Sequence, residues 1–285
     1  MRLAVLGASG MLGTRVTALF RAAGHELLEP SLEVLDLSRP GTLDRYFSER
    51  SFDGTVNCAA MTAVDDCEDP AFYPAALAVN GTGVGHLARL SRSTGRWMIH
   101  VSTDYVFDGK GTRPYRETDP VNPVNAYGRT KLEGERAFLE SGARGWLVRT
   151  SWLYGPNGRN FVRTMAGLLR TMPKVEVVDD QVGGPTNSRD LAGFFLDLVS
   201  SNAPEGLYHF ANDGYVSWHG LALGVRDALG LTGPIVEPVP SSRFPRPAPR
   251  PLNSRFDLSK ARSVVRAPIR PWKDALVEYL KEDRL

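Results

Sequence analysis

Apolar residues gather into short runs at Leu3 to Leu6, His25 to Leu28, Gly54 to Asn57, Trp97 to Ser102 and Trp146 to Thr150, each about the length of a buried strand. Between them, apolar positions recur at helical spacing over Met11 to Ala22, Ala75 to Ser93 and Ala126 to Glu140. Strands alternating with helices at this interval predict an α/β chain: a doubly wound parallel sheet covered on both faces. After Thr150 the rhythm loosens. A helix over Asn160 to Arg170, a strand over Val175 to Val178, a helix over Ser188 to Ser201, a strand over Leu207 to Ala211 and a helix over Ser217 to Leu229 predict a smaller C-terminal lobe. Some of its segments are expected to return to the sheet. The stretch Ser241 to Pro251, SSRFPRPAPRP, is excluded from helix and inner strand because its prolines lack donors.

Composition narrows the class. At 285 residues with a net charge of +2, the chain can bury a core, and its basic residues form no stripe of the kind that binds nucleic acid. The apolar run that opens the sequence is too short for a signal peptide or a membrane span, so a cytoplasmic protein with no membrane partner is expected. Cys58 and Cys67 lack metal-ligand spacing and read as packing residues. The five histidines are dispersed, and His100 and His209, inside strand-like runs, read as satisfied core residues. No metal site is expected.

The first strand runs into GASGMLG, with Gly7, Gly10 and Gly13 three apart. Such a turn, followed at once by a helix, lets a pyrophosphate approach the backbone and meet free amides at a helix start, across Ser9, Met11 and Leu12 as well as the glycines. This position in the strand-helix order predicts a Rossmann-like dinucleotide site, with residues 1–150 binding the dinucleotide and 151–285 forming mainly a substrate lobe. Glu29 ends the second strand as a candidate for ribose hydroxyls, and Asp36 and Leu37 are candidates to flank the adenine. No arginine directly follows that strand, which leaves NADH and NADPH both open; Arg15 and Arg39 are the guanidiniums that could reach a 2′-phosphate.

A second cluster carries chemistry. YGRTK, Tyr127 to Lys131, opens a helix, and four-residue spacing puts the phenol and the ammonium on one face. A free tyrosine is only about 0.1% ionised at neutral pH, and a lysine within several ångströms is expected to lower its pKa by roughly 1 to 3 units. The strand from Trp97 ends in Ser102, Thr103, Asp104 and Tyr105, so Thr103 stands where a hydroxyl can share a carbonyl oxygen with Tyr127. The expectation is ketone reduction: hydride to carbon from the nicotinamide, proton to oxygen from Tyr127.

NCAAMTAVDDCE (57–68), STDYVFDG (102–109), NAYGRTKLEGE (125–135), RTSWLYGPNGRNFV (149–162), DDQVGGPT (179–186), GLYHFAN (206–212) and FPRPAPRPLNS (244–254) occur in order over nearly the whole chain. Together they resemble the dTDP-4-dehydrorhamnose reductases, a branch of the extended short-chain dehydrogenase/reductases. The resemblance implies NADPH- or NADH-dependent reduction of a dTDP-sugar at its 4-keto group, with Thr103, Tyr127 and Lys131 as the catalytic trio. It further implies that Lys131 holds the nicotinamide ribose and that Asn57, Ala59, Ala60 and Thr62 line the cofactor. Val64, Asp104, Tyr105 and Trp152 would face the sugar, with Arg250 and Asn253 near the nucleotide portion. Related 4,6-dehydratases carry an Asp-Glu pair after the threonine; Tyr105 stands at the second place here, which disfavours elimination. Some members form magnesium-bridged dimers through acids where this chain has Arg15 and Arg189, so a monomer without bridging metal is expected. Two alternatives keep the scaffold: a reductase of another dTDP-4-keto-deoxysugar, and a non-catalytic subunit similar to the regulatory subunit of methionine adenosyltransferase.

Overall fold

The computed structural model describes residues 1–283, so the last two positions of the expected C-terminal lobe lie outside it. In chain order the first half comprises β1 (Arg2–Leu6), α1 (Met11–Ala22), β2 (Glu26–Leu28), α2 (Pro40–Glu49), β3 (Gly54–Asn57), α3 (Tyr73–Leu77), α4 (Gly83–Ser93), β4 (Trp97–Thr103), α5 (Ala126–Ser141) and β5 (Gly145–Thr150). The second half comprises β6 (Leu153–Tyr154), α6 (Phe161–Thr171), β7 (Lys174–Val178), β8 (Val182–Gly183), β9 (Thr186–Asn187), α7 (Ser188–Ser200) and β10 (Gly206–Phe210). It ends with β11 (Val216–Ser217), α8 (Trp218–Ala228), β12 (Ile235–Val239), β13 (Asn253–Ser254), α9 (Ser259–Arg262) and α10 (Trp272–Glu282).

Six parallel strands form the central sheet in the order β10-β5-β4-β3-β1-β2. Alternation along β1 divides the core: Leu3 and Val5 pack with α1 and α7, while Ala4 and Leu6 pack with α2, α4 and α5. The strand order reverses between β1 and β3, the place where open α/β sheets leave a crevice beyond the strand ends. A third apolar cluster, built from Tyr154, Val162, Leu169, Leu221, Trp272 and Tyr279 among others, lies off the sheet and joins α6, α8 and α10. The segment expected to return to the sheet does so as β10, paired with β5 from Gly206↔Trp146 to Phe210↔Thr150.

Several elements differ from the sequence reading, among them three helical ones. The helix expected over Ala75 to Ser93 begins at Tyr73 and is interrupted by a wide turn over Ala78–Thr82, inside which Asn80 is fully buried. The helix α2 was not expected; Pro40 sits at its first position, where a proline costs nothing, and Leu43, Tyr46 and Phe47 are its buried face. The helix α10 also went unread, although Trp272, Ala275, Leu276, Tyr279 and Leu280 give a helical stripe. Among the described residues no helix is long and apolar enough to cross a membrane.

Candidate active site

At the end of β1, Gly7 adopts φ +72°, and a side chain there would press on the Ala59 amide that follows β3. Gly13 lies under the same turn: a Cβ would stand 2.0 Å from the Gly7 carbonyl. Gly10 and Ser9 remain exposed. The first intrahelical bond of α1 runs from the Thr14 N–H to the Gly10 carbonyl, so the amides of Met11, Leu12 and Gly13 precede it. No side chain caps them and no acid stands in the first turn. This cradle fits a dinucleotide pyrophosphate, which would meet free donors and the positive end of the helix. Leu12 contributes its amide alone, since its side chain packs in the core. Met11 lies beneath Gly155 and Gly158, and Asn157 donates to Thr14 Oγ1 at 3.0 Å, so the 155–158 loop borders the turn.

At the end expected to hold the adenosine, the candidate side chains have partners within the chain. Glu29 is paired with Arg21. Asp36 is buried, its carboxylate accepting from the Ser38 amide and hydroxyl and from Arg39 Nε at 2.8 Å, and these bonds hold it below the usual carboxylate range against a desolvation that would raise it. It therefore shapes the loop, while the backbone of Leu37 packs so closely on Gly83 that a Cβ there would meet its carbonyl at 2.2 Å. Arg39 is 64% exposed beside it. Arg15 turns away to Glu282 at 2.8 Å.

The catalytic cluster forms where β4 ends. Thr103 closes the strand in extended conformation; its hydroxyl accepts from the Tyr105 amide and donates to Asp104 Oδ1 at 3.1 Å. The helix α5 starts beside it because Asn125 caps it, Oδ1 accepting from the Gly128 amide at 2.8 Å. That start brings the Tyr127 phenol close to the Thr103 hydroxyl, close enough for that hydroxyl to act on the phenol's proton affinity. Gly128 permits the approach, since a Cβ would meet the Tyr105 carbonyl at 2.2 Å. One turn on, Lys131 is 2% exposed and donates to the Val101 carbonyl at 2.7 Å, with His100 Nε2 at 3.5 Å.

The pKa of Tyr127 runs opposite to the expectation. Burial raises it, the nearby Asp104 carboxylate raises it further, and the Thr103 hydroxyl pulls it down. The Lys131 ammonium is turned toward the β4 backbone, where it donates to the Val101 carbonyl. The phenol is thus a protonated donor throughout the neutral range. Burial brings Lys131 itself down to about 8, against an upward pull from Glu135. Burial takes Asp104 up to about 6, opposed by bonds from Ser254 and Thr103.

Beside this cluster opens a cavity of about 660 Å³, lined by Tyr105, Phe161, Trp218, Phe244 and Arg250 among others. Tyr105 meets Tyr127 edge-on at 5.7 Å and lies under the Arg250 guanidinium. Asp65 holds Arg250 at 3.0 Å and accepts from the Ala248 amide, while Asn125 Nδ2 donates to the Pro249 carbonyl, pinning the proline-rich strap over the site. Trp152, at φ +48°, reaches the cavity through Trp218, on which it stacks at 3.6 Å. Val64 packs with Tyr105, Cys67 and Tyr127. Asn57 is buried with its Oδ1 on the Ala59 amide, Ala59 and Ala60 are half-buried next to it, and Thr62 is exposed. Asn253 stands apart: its carboxamide is consumed by the Arg113 carbonyl and by Arg255. Sequence reasoning missed Asp65, Asn125 and Trp218; of these, the Asn125 cap had a local signal, a capping residue directly before a helical run.

A family model described as the RmlD substrate binding domain matches residues 1–285. The chain is 42% identical to the dTDP-4-dehydrorhamnose reductase of Streptomyces griseus over 96% of this chain and 91% of that protein. It superposes on the crystal structure of a dTDP-4-dehydrorhamnose reductase from Clostridium acetobutylicum with a TM-score of 0.94 and 36% identity, each chain covered completely. It superposes on that of Bacillus anthracis, solved in complex with NADP, with a TM-score of 0.93 and 30% identity over 99% of both. On the sequence match over its whole length, and on a Rossmann-like fold with the family's glycine turn, this chain belongs to the dTDP-4-dehydrorhamnose reductase family.

Proposed function

We propose that the chain reduces the 4-keto group of dTDP-4-dehydro-L-rhamnose to dTDP-L-rhamnose with NADPH or NADH, binding the dinucleotide on residues 1–150 and the sugar nucleotide mainly on the lobe from 151. The observation that carries this reading is the meeting of the Thr103 and Tyr127 hydroxyls beside the glycine turn, with a buried Lys131 behind them. The bound nicotinamide supplies the hydride that adds to the ketone carbon. Thr103 and Tyr127 hold the carbonyl oxygen, and Tyr127 gives it the proton that completes the alcohol. The Lys131 ammonium offsets the charge left on the phenolate.

Arg250 suits the substrate diphosphate, since a guanidinium grips phosphate oxygens bidentately. Asp65 neutralises it meanwhile, so the diphosphate takes over a cation already in position. Tyr105 and Trp152, the latter through Trp218, border the sugar. We read the protein as cytoplasmic and monomeric, because Arg15 and Arg189 are both engaged by carboxylates of α10 in the same chain. A dimer that appears on adding magnesium in sedimentation experiments would overturn the monomer.

The test mixes purified protein, enzymatically generated dTDP-4-dehydrorhamnose and NADPH or NADH, following nucleotide absorbance and identifying the product by NMR. Formation of dTDP-L-rhamnose with matching nucleotide consumption is expected. Nucleotide and substrate both unchanged would reject the assignment.

A further inference from the structure

Behind Lys131 lies a row of buried polar groups that the reduction does not use. Asn57 on β3, His100 on β4 and Lys131 on α5 follow one another, with Asn57 Nδ2 3.1 Å from His100 Nδ1 and His100 Nε2 3.5 Å from Lys131 Nζ. Both Asn57 and His100 are completely buried.

The direction of this row is fixed by hydrogen-bond chemistry. The Ala59 amide donates to Asn57 at 3.1 Å, which identifies the accepting atom as Oδ1 and leaves the amide nitrogen facing His100. A carboxamide nitrogen only donates, so His100 Nδ1 accepts. Burial, and then the Lys131 charge, keep the imidazole neutral. Its single proton therefore sits on Nε2, the atom turned toward Lys131. An N–H aimed at an amine can donate to its lone pair, whereas aimed at an ammonium it meets like polarity.

We propose that His100, locked by Asn57 into its Nε2–H tautomer, is a positioning residue for the reduction, setting the pH at which Lys131 holds its charge by favouring the amine. This rests on the assignment of Lys131 to the catalytic trio. Other groups around the ammonium act from known directions. Glu135 and Tyr127 share its helix, Asp104 follows β4, and Arg149 on β5 grips Glu135 at 2.6 and 2.9 Å. The neutral Asn57 on β3 contacts His100, and Asn80 in the turn before α4 donates to Thr130, the residue before Lys131. Glu135 favours the ammonium and His100 opposes it. Burial already brings Lys131 down to about 8 against the pull of Glu135, and the His100 N–H at 3.5 Å adds to the side of the amine.

The experiment compares pH profiles of kcat/KM for the wild type, His100→Leu and His100→Gln, with Lys131→Met as reference. Leucine removes the donor, so the alkaline fall is expected to move up by about one pH unit. Glutamine can accept from Asn57 through Oε1 and donate toward Lys131 through Nε2, so it is expected to restore the original profile. An unmoved fall in folded His100→Leu overturns the proposal. Near-normal turnover and an unchanged fall in Lys131→Met instead overturn the role of the lysine, which keeps the two failures distinct. A readout without substitution is nitrogen-15 NMR of the histidines in the full chain. His100 is expected neutral with Nε2 protonated from pH 6 to 9, at about the tautomer shifts of a free imidazole; a proton on Nδ1, or a charged ring, overturns the proposal.

Discussion

Two clusters of charge in the molecule obey different rules. Around the tip of β4, Lys131, Asp104, Glu135 and Arg149 are all nearly withdrawn from water. Around α10, Arg15, Arg189 and Arg270 meet Asp190, Glu278 and Glu282 with side chains between 18% and 44% exposed. At the second cluster opposite charges cancel in pairs: desolvation would raise Glu278, but Arg270 and Arg189 together outweigh it and hold the carboxyl below its usual range. At the first, a cation without a full partner is kept dry, and desolvation moves proton affinities into the range where a reaction can use them. Similar residue types thus fasten a helix in one place and tune a proton donor's surroundings in the other, and depth below the surface makes the difference.

The contrast is broken most directly at Glu135. Replacing it by alanine leaves the Arg149 charge buried without a partner, and denaturant unfolding is expected to show a loss of about 3–5 kcal/mol; a loss of a few tenths would put the two clusters on the same footing. Next, Tyr127→Phe is expected to lower turnover by at least about 10²-fold, some 2.7 kcal/mol of barrier, with the melting temperature unchanged. Near-normal turnover would remove the proton donor from the scheme.

Titration gives a smaller effect. As pH rises through about 8, Lys131 loses its charge and kcat/KM is expected to fall. Stability moves the other way. Between about 8 and the ordinary lysine value of 10.5, the unfolded chain binds a proton that the native chain does not, so this group's contribution rises with pH across that window. A pH profile with no alkaline fall below pH 10 would show the ammonium to be more exposed than described. The smallest effect is expected at the far cluster. There, Arg189→Ala costs no more than about 1 kcal/mol, and added salt reduces that cost.

What the sequence made legible was local. The glycine turn follows β1 and precedes α1 without a gap, and Tyr127 and Lys131 lie one helical turn apart, so spacing alone aligned them. The helices α2 and α10 carry prolines at their starts, where a proline is tolerated, and neither was read from the sequence. The contact of Asp65 with Arg250 spans most of the chain and has no local signature. The pKa of Tyr127 could not be read from its neighbour in the helix, since burial and Asp104, both products of folding, decide its direction.

Asn125 carries a consequence of its own. One face of its carboxamide begins the helix that presents the phenol, and the other grasps the carbonyl of Pro249 in the strap. Under the proposed seating of a diphosphate at Arg250, any shift of that strap would be transmitted, through a single side chain, to the first turn of α5. Grip on the nucleotide and aim of the phenol would then be mechanically one event.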